Sequence, residues 1–175
     1  LVVPSHAFRN TLQAIKPFLT QKHLVSWATK GFDCQQGELL SDITRNILGP
    51  DIGTAVLSGP TFAREVAAGL PTALTIASAS DDLAAQLTGI LHNPTFRTYT
   101  SHDMTGVQVG GACKNVLAIA AGIADGLGFG ANTRAALITR GLSEIMRLGI
   151  NLGGQADTFM GLTGLGDLIL TCTDN

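Results

Sequence analysis

One segment, Thr54-Ala55-Val56-Leu57-Ser58-Gly59-Pro60-Thr61-Phe62-Ala63, passes from an apolar, β-rich run through a tight loop into a helix-like stretch. Gly59 permits unusual backbone angles, and Pro60 suits the first turn of a helix. The free N–H groups of such a helix start can bind an anion or a ligand oxygen. The local pattern favours an ordinary helix start, so the segment predicts strand, loop and helix, with a ligand contact as the alternative.

The same alternation extends on both sides of this segment. Apolar runs predict strands at residues 1–3, 24–28, 54–57, 74–77 and 96–99, and amphipathic stretches predict helices at residues 7–19, 37–48, 62–68 and 82–92. Strands that alternate with helices, and that are apolar almost throughout, are typical of a parallel sheet covered on both faces. The predicted fold class is therefore an α/β Rossmann-type parallel sheet.

The character of the sequence changes after residue 101. From there the pattern is helical, with helices predicted at residues 103–125 and 132–152, and 14 of the 21 glycines lie between residues 106 and 166. We therefore predict two parts, the later portion of an α/β domain at residues 1–100 and the first portion of an all-α domain at residues 101–175. Because the chain starts within an apolar run and ends without a stop signal, we expect an internal piece of a longer polypeptide.

Composition narrows the function classes. Apolar residues make up 45% of the chain, charged residues 14%, and the net charge is −2. This composition predicts a compact soluble protein with no basic field for nucleic acid. The longest apolar runs are interrupted by Gly, Asn or Asp, so we expect no membrane span. The three cysteines (Cys34, Cys113 and Cys172) lack metal-ligand spacing, which predicts free thiols, no metal site and a cytoplasmic location.

Lys114 is the one charged residue in a stripe of small side chains on the predicted helix 103–125. The positions three, four and seven residues away on its face include Gly110, Gly111, Ala118 and Ala121, and no acidic residue of the helix shares that face. Spacing alone favours a surface lysine beside a helix-packing seam. The alternative is a lysine at the floor of a ligand cleft, where partial burial lowers its pKa and makes it a base.

Two further polar residues follow loops. Lys30 lies in Trp27-Ala28-Thr29-Lys30-Gly31, directly after a predicted strand, where ligands of open α/β sheets bind. A solvated loop lysine fits that position equally well. Asp167 follows the glycine-rich run 161–166, where a helix N-cap is the simplest interpretation.

Two other patterns are structural. The run 126–131 fits G-x-G-x-x-A, yet it follows a helix, so we interpret it as a turn between helices and not as a dinucleotide fingerprint. Arg140 and Glu144 are four residues apart on the predicted helix 132–152 and are expected to pair on its surface.

The ordered set of motifs resembles one family. The set consists of Val3-Pro4-Ser5-His6, Trp27-Ala28-Thr29-Lys30-Gly31, the segment 58–63, Gly110-Gly111-Ala112-Cys113-Lys114-Asn115-Val116, the run 125–133 and the run 164–175. Each motif alone is weak, but their order and spacing are similar to those of bacterial-type glycerol-3-phosphate dehydrogenases over essentially the whole chain.

The resemblance implies an enzyme that interconverts dihydroxyacetone phosphate and sn-glycerol 3-phosphate with NAD or NADP, feeding glycerophospholipid synthesis. It implies that residues 1–100 belong to an NAD(P)-binding Rossmann domain and residues 101–175 to a helical substrate-binding domain. Lys114 matches the catalytic proton acceptor and a substrate contact. The other implied substrate contacts are Lys30, Gly59, Thr61, Asp167 and Thr171, and the implied cofactor contacts are Lys30 and Ala63.

The resemblance also sets expectations about charge and partners. Two lysines at one site would lower each other's pKa by repulsion, which favours a neutral amine as base. The expected small-molecule partner is a phosphorylated triose substrate, and the expected assembly is a homodimer. The pyrophosphate loop and the phosphate-gripping Arg-Asn pair of the family would fall outside the chain, so the segment alone is expected to be inactive. The alternatives are another two-domain NAD(P)-dependent ketone or hydroxyacid reductase, and a non-catalytic relative.

Overall fold

The computed structural model describes residues 1–173, so the last two positions of the run 164–175 lie outside the described residues. The first half alternates as predicted. Its strands are β1 (Leu24–Trp27), β2 (Gly53–Ser58), β3 (Thr72–Ala77) and β4 (Phe96–Ser101), and its helices are α1 (Ser5–Ile15), α2 (Leu40–Leu48), α3 (Ala63–Ala67) and α4 (Asp81–Leu91). A short 3-10 helix, Lys16–Phe18, extends α1.

The four strands form one sheet in the order β1-β2-β3-β4. β1 pairs with β2, and β3 with β4, in parallel, whereas β2 and β3 are antiparallel, with Leu57 opposite Ile76. The α/β class is confirmed, and the sheet is parallel-dominated but mixed. Helix α3 explains the reversal: its five residues rise only about 7–8 Å. No full-length crossover helix therefore carries the chain back along β2, and β3 starts at the edge where β2 ends.

The predicted strand at residues 1–3 is wrong. Those residues have no regular secondary structure, although they lie beside β1. The N–H of Ala28 donates to the C=O of Leu1 at 3.0 Å, and the hydroxyl of Thr29 donates to the C=O of Val3 at 2.8 Å. The N-terminal ammonium group of Leu1 also donates to the C=O of Ser26. At Val3 the partner is a side chain instead of the backbone, which ends the backbone ladder after these two bonds.

Helices cover both faces of the sheet, as the continuous apolar strands predict. Phe8 of α1 and Trp27 of β1 are fully buried on one face, where their rings meet edge to face at 5.6 Å. On the other face, Ile76 of β3 packs with Leu83 and Leu87 of α4. The loops at the carboxyl ends of β1 and β2 are therefore supported from both sides.

The second half is helical. Its elements are α5 (Met104–Gly126), α6 (Ala131–Asn151), α7 (Ala156–Met160), a π-helical turn at Leu162–Gly166 and α8 (Asp167–Thr173). Asp103 caps α5, since its carboxylate accepts from the N–H of Gly106 at 2.7 Å and from that of Gln155 at 2.8 Å. The same side chain ties the start of α5 to the segment that precedes α7. The run 126–131 forms the predicted turn between helices.

By length and composition alone, helix α5 could cross a membrane. The sequence predicts no such segment, because polar residues and glycines interrupt its apolar runs. The glycines and alanines among its 23 residues do not break the helix, and its mean hydropathy stays high. In the structure α5 packs against α6 and α8, and it buries residues that include Val107, Val109, Ala121 and Ala124.

The predicted pair of Arg140 and Glu144 is replaced by a different one. Glu144 forms an ion pair with Arg147, three residues later on the exposed surface of α6. Both spacings place two side chains on one helix face, so periodicity could not choose between the two arginines.

Close packing of α5 against the π-helical turn gives a first prediction. A Cβ added at Gly110 would lie 2.6 Å from the C=O oxygen of Thr163, whereas one added at Gly122, on the same helix, would meet nothing within 4 Å among residues 1–173. In the intact protein, we expect Gly110→Ala to lower the free energy of unfolding by about 1–3 kcal/mol through overpacking. Gly122→Ala should instead raise it by up to ~1 kcal/mol through helix propensity.

Denaturant unfolding of the two variants beside the wild-type protein provides the measurement. Equal stabilities for both variants would contradict the close approach of α5 and the π-helical turn.

Candidate active site

Lys30 enters the site from the loop that follows β1. Its ammonium group donates to the carboxylate of Asp167 and lies 3.5 Å from the C=O oxygen of Gly59, in the loop that follows β2. Its side chain is 23% exposed, so the group faces both the protein and the solvent. β1 and β2 are parallel neighbours, and their carboxyl ends therefore bring the two loops together at one edge of the sheet.

Lys114 reaches the same carboxylate from α5. Its ammonium group donates to Asp167, 53 residues away, and to the hydroxyl of Thr171 at 2.9 Å. The side chain is only 8% exposed. The surface-lysine interpretation is therefore wrong, and the structure shows the buried alternative, with its acidic partner supplied by another helix.

Asp167 lies between the two lysines at the start of α8. Its side chain is 1% exposed, and its two carboxylate oxygens each accept from a different lysine. The N-cap interpretation is wrong, because Asp167 lies within the helix and its carboxylate faces Lys30 and Lys114. Thr171, one turn later, donates its hydroxyl to the C=O of Asp167 at 2.7 Å and is thereby oriented toward Lys114.

Glycine at position 111 allows α5 to approach the sheet. A Cβ there would lie 3.1 Å from the hydroxyl oxygen of Ser58 and 3.6 Å from Cγ of Lys30. Within the stripe of small residues around Lys114, Gly111 therefore lies in close contact with the end of β2 and the side chain of Lys30. This contact places the two lysines, 84 positions apart in the sequence, against one carboxylate.

Burial lowers the pKa of Lys30 to about 8. Desolvation is the largest cause, the negative charge of Asp167 opposes it, and the positive charge of Lys114 adds to it. The predicted repulsion between the lysines therefore contributes to the shift at Lys30, but burial dominates, and the carboxylate between the lysines counteracts it.

The loop after β2 is held in a conformation that favours glycine. Gly59 has φ +155°, and a Cβ there would lie 2.9 Å from the C=O oxygen of Ala73. The hydroxyl of Thr61 donates to the C=O of Gly59 at 3.3 Å, so the two predicted substrate contacts form one unit beside Lys30. Ala63 is exposed at the start of α3 and lines a separate surface cavity of about 600 Å³, away from the lysine cluster.

Gln108 is a buried connection that the sequence analysis did not single out. Its side-chain amide donates to the hydroxyl of Ser41 and accepts from the backbone N–H of the same residue, both at 3.0 Å. These bonds tie α5 to the start of α2. A long polar side chain at position 108, in an otherwise apolar turn of α5, was the signal that could have identified it.

The cluster has unused hydrogen-bonding capacity. Each lysine ammonium has three hydrogens, and among residues 1–173 each ammonium group meets two acceptors: Asp167 and Gly59 for Lys30, and Asp167 and Thr171 for Lys114. One hydrogen of each lysine is therefore free to meet a ligand oxygen. Two cations and one anion leave a net positive site, which suits an anionic ligand or an oxygen that gains negative charge.

A lysine pair of this kind lies at the carboxyl edge of an α/β sheet and against a helical second half, where two-domain α/β proteins place ligand sites. Two family models match the chain: the N-terminus of NAD-dependent glycerol-3-phosphate dehydrogenase at residues 1–84 and the C-terminus of the same enzyme at residues 103–175. The chain belongs to the NAD-dependent glycerol-3-phosphate dehydrogenase family.

Individual relatives agree with this assignment. The chain is 58% identical to the glycerol-3-phosphate dehydrogenase [NAD(P)+] of Colwellia psychrerythraea and 59% identical to that of Aeromonas salmonicida, and in both cases the alignment covers 100% of this chain and 53% of the relative. The chain therefore spans about half the length of these curated relatives.

Solved structures show the same fold. The crystal structure of glycerol-3-phosphate dehydrogenase from Coxiella burnetii superposes with a TM-score of 0.96 at 49% identity, over 99% of this chain and 53% of that one. The yeast enzyme, from Saccharomyces cerevisiae, gives a TM-score of 0.86 at 28% identity over the same shares.

Proposed function

We propose that a polypeptide of the relatives' length containing this chain is an NAD(P)-dependent glycerol-3-phosphate dehydrogenase, which interconverts dihydroxyacetone phosphate and sn-glycerol 3-phosphate and feeds glycerophospholipid synthesis. One observation carries the proposal: Lys30 and Lys114 converge on the buried carboxylate of Asp167, between the sheet and the helices. The family assignment supports it, since the curated relatives carry this enzyme's name.

Lys114 is the proposed proton donor and acceptor. In the direction of reduction, the C2 carbonyl carbon accepts a hydride, and the oxygen takes a proton from the Lys114 ammonium group. In the direction of oxidation, the neutral Lys114 amine removes the proton of the C2 hydroxyl. Asp167 and Thr171 fix the position of Lys114 through two hydrogen bonds, which leaves the third hydrogen for the substrate oxygen.

Lys30 is the proposed electrostatic partner. Its ammonium group is held by Asp167 beside the C=O of Gly59 and remains partly exposed, so it faces the side from which a substrate enters. A cation there stabilises negative charge as it develops on the carbonyl oxygen. The nearby Gly59 and Thr61 are proposed to contact the phosphorylated triose.

The residues present fit the nicotinamide end of an NAD or NADP cofactor, which supplies the hydride when bound. Lys30 and Gly59 follow parallel neighbouring strands at their carboxyl ends, where open α/β sheets bind ligands. We propose Lys30 as a contact of both cofactor and substrate. Ala63, exposed on α3, is proposed as a more peripheral cofactor contact.

The organisation of the whole enzyme is also proposed. Residues 1–100 would form the later portion of the cofactor-binding domain, and residues 101–175 the first portion of the substrate-binding domain, with the lysine cluster between them. We propose a homodimer in the cytoplasm. The three cysteines are free thiols in the structure, which is compatible with a reducing compartment.

The test of the proposed reaction is the oxidation of NADH and of NADPH, followed by absorbance, with and without dihydroxyacetone phosphate. We expect oxidation that depends on this substrate. Oxidation with a hydroxyacid precursor instead would favour the alternative reductase, and no oxidation with either nucleotide by the folded protein would favour a non-catalytic relative.

The pKa of Lys30 predicts a pH limit. Because this pKa is about 8, Lys30 loses its positive charge as the pH rises through that value. We expect kcat/KM for reduction, which reports groups of the free enzyme, to fall above about pH 8. Lys30→Arg keeps the positive charge at high pH, so the fall of kcat/KM at high pH (the high-pH limb of the profile) should move beyond the pH range in which the protein is stable.

The test is kcat/KM measured from pH 6 to 10 on the wild-type protein and on Lys30→Arg. Lys22→Ala, which removes an exposed lysine, is the control. A limb that stays at the same pH in Lys30→Arg would contradict the assignment to Lys30.

A further inference from the structure

Ser58, the last residue of β2, carries a buried hydroxyl for which the structure provides no hydrogen-bond partner within residues 1–173. The residue is 3% exposed. A buried hydroxyl that makes no hydrogen bond costs free energy, and such groups in native proteins nearly always bond to protein or to an ordered water. The mechanism proposed above does not use Ser58, so its hydroxyl requires another explanation.

The hydroxyl adjoins a small cavity beside the lysine cluster. The cavity has a volume of about 10 Å³ and is lined, among others, by Ser58, Lys30, Gly111, Thr29 and Gln108. This is about the volume that one water molecule needs, and the lining includes the hydroxyl of Ser58, unpaired within the described residues, and the side chain of Lys30. The cavity exists because position 111 is glycine: a Cβ there would lie 3.1 Å from the Ser58 hydroxyl oxygen.

We propose that Ser58 and this cavity form a binding site for one ordered water, which holds the side chain of Lys30 in its position beside Asp167. Ser58 is then a positioning residue, because it acts on the substrate only through Lys30. The inference rests on the proposed function insofar as it concerns catalysis. The site for the water rests on the buried hydroxyl and the cavity alone.

Two variants of the enzyme of the relatives' length remove the water in different ways. Ser58→Ala removes its anchor, and Gly111→Ala takes its volume while leaving the hydroxyl in place. Gly122→Ala is the matched control, since it adds the same methyl group to the same helix at a position that, in the part of the chain the structure describes, has nothing within 4 Å. High-resolution crystal structures should show water density within about 3.2 Å of the Ser58 hydroxyl oxygen in the wild-type and Gly122→Ala proteins. The density should be absent in Ser58→Ala and Gly111→Ala.

Kinetics give the second readout. In Ser58→Ala and Gly111→Ala we expect KM for dihydroxyacetone phosphate to rise about tenfold, with kcat changed by roughly twofold at most, because the loss falls on one hydrogen bond that supports a substrate contact. The high-pH limb of kcat/KM should move to lower pH, since the Lys30 ammonium group loses a polar neighbour. A general loss of stability would not produce this separation of KM from kcat.

The possible outcomes are distinguishable. A cavity without water density in the wild-type protein overturns the inference, as do unchanged KM and pH profile in Ser58→Ala. If Ser58→Ala fails to fold, Gly111→Ala decides by the same criteria. Water density in a wild-type protein that does not oxidise NADH or NADPH overturns the proposed function and leaves the water site standing.

Discussion

Replacing Lys114 by alanine in the enzyme of the relatives' length is expected to lower kcat by about 10²–10⁴-fold, the contribution of a positioned general acid or base. Lys114 is 8% exposed and donates to Asp167 and Thr171, so its remaining hydrogen has a fixed direction. Loss of the amine removes the group that supplies the proton to the substrate oxygen. Binding of the nucleotide should be nearly unchanged, because the proposed cofactor contacts are Lys30 and Ala63.

Steady-state rates and nucleotide affinity, measured on Lys114→Ala, provide the check. Lys22→Ala removes a lysine on the exposed surface and should behave as the wild-type protein. Near-wild-type turnover of Lys114→Ala, with the fold intact by circular dichroism, would remove Lys114 from its proposed role.

Replacing Asp167 by asparagine is expected to damage both stability and activity. The carboxylate is 1% exposed and accepts from two lysines, so the substitution leaves two neighbouring ammonium groups without their shared counter-ion. Breaking a buried ion pair by removing one partner costs ~3–5 kcal/mol. Turnover should fall together with stability, because neither lysine keeps its position.

The pH dependence of that loss has a defined sign. Asp167 raises the pKa of Lys30, so the substitution lowers this pKa below its wild-type value of about 8. A lysine whose pKa is lower in the folded than in the unfolded state destabilises the fold when it is protonated. As the pH rises from the folded-state pKa toward the unfolded-state pKa of ~10.4, the folded protein loses this proton first and its free energy of unfolding increases. Asp167→Asn should therefore be most destabilised near pH 6 and less so at pH 9.

Denaturant unfolding at both pH values, beside the exposed-residue control Asp51→Asn, tests this expectation. Equal stability of the two variants at pH 6 would show that the carboxylate does not hold the lysines together.

Local pattern predicted the elements of the fold better than their arrangement. Apolar runs and helical spacing located each of the four strands of the sheet and the helices between them to within a few residues. They did not predict the antiparallel pairing of β2 with β3, since that pairing depends on the length of α3 and not on any strand. The wrongly predicted strand at residues 1–3 has the composition of a strand but lacks a continuous ladder.

The site was predictable only in part, because its key contacts are distant in sequence. Helical spacing showed that Lys114 lies among small side chains but could not supply its partner, which lies on another helix. The preference of aspartate for helix starts favoured a cap at Asp167, although burial between two cations determines its contacts. The family resemblance named Lys30, Lys114, Asp167 and Thr171, and the structure brings these four together while their roles stay predictions.

The central claim is that a ketone is reduced at the Lys30–Asp167–Lys114 cluster. The most direct measurement uses NADH or NADPH carrying deuterium on the transferred position, dihydroxyacetone phosphate, and the wild-type and Lys114→Ala enzymes of the relatives' length, with the product analysed by mass spectrometry and NMR. We predict glycerol 3-phosphate with one deuterium at C2 from the wild-type enzyme, and product formed more slowly by orders of magnitude from Lys114→Ala. Absence of labelled product from the folded wild-type enzyme, or equal rates from the two proteins, would contradict the claim.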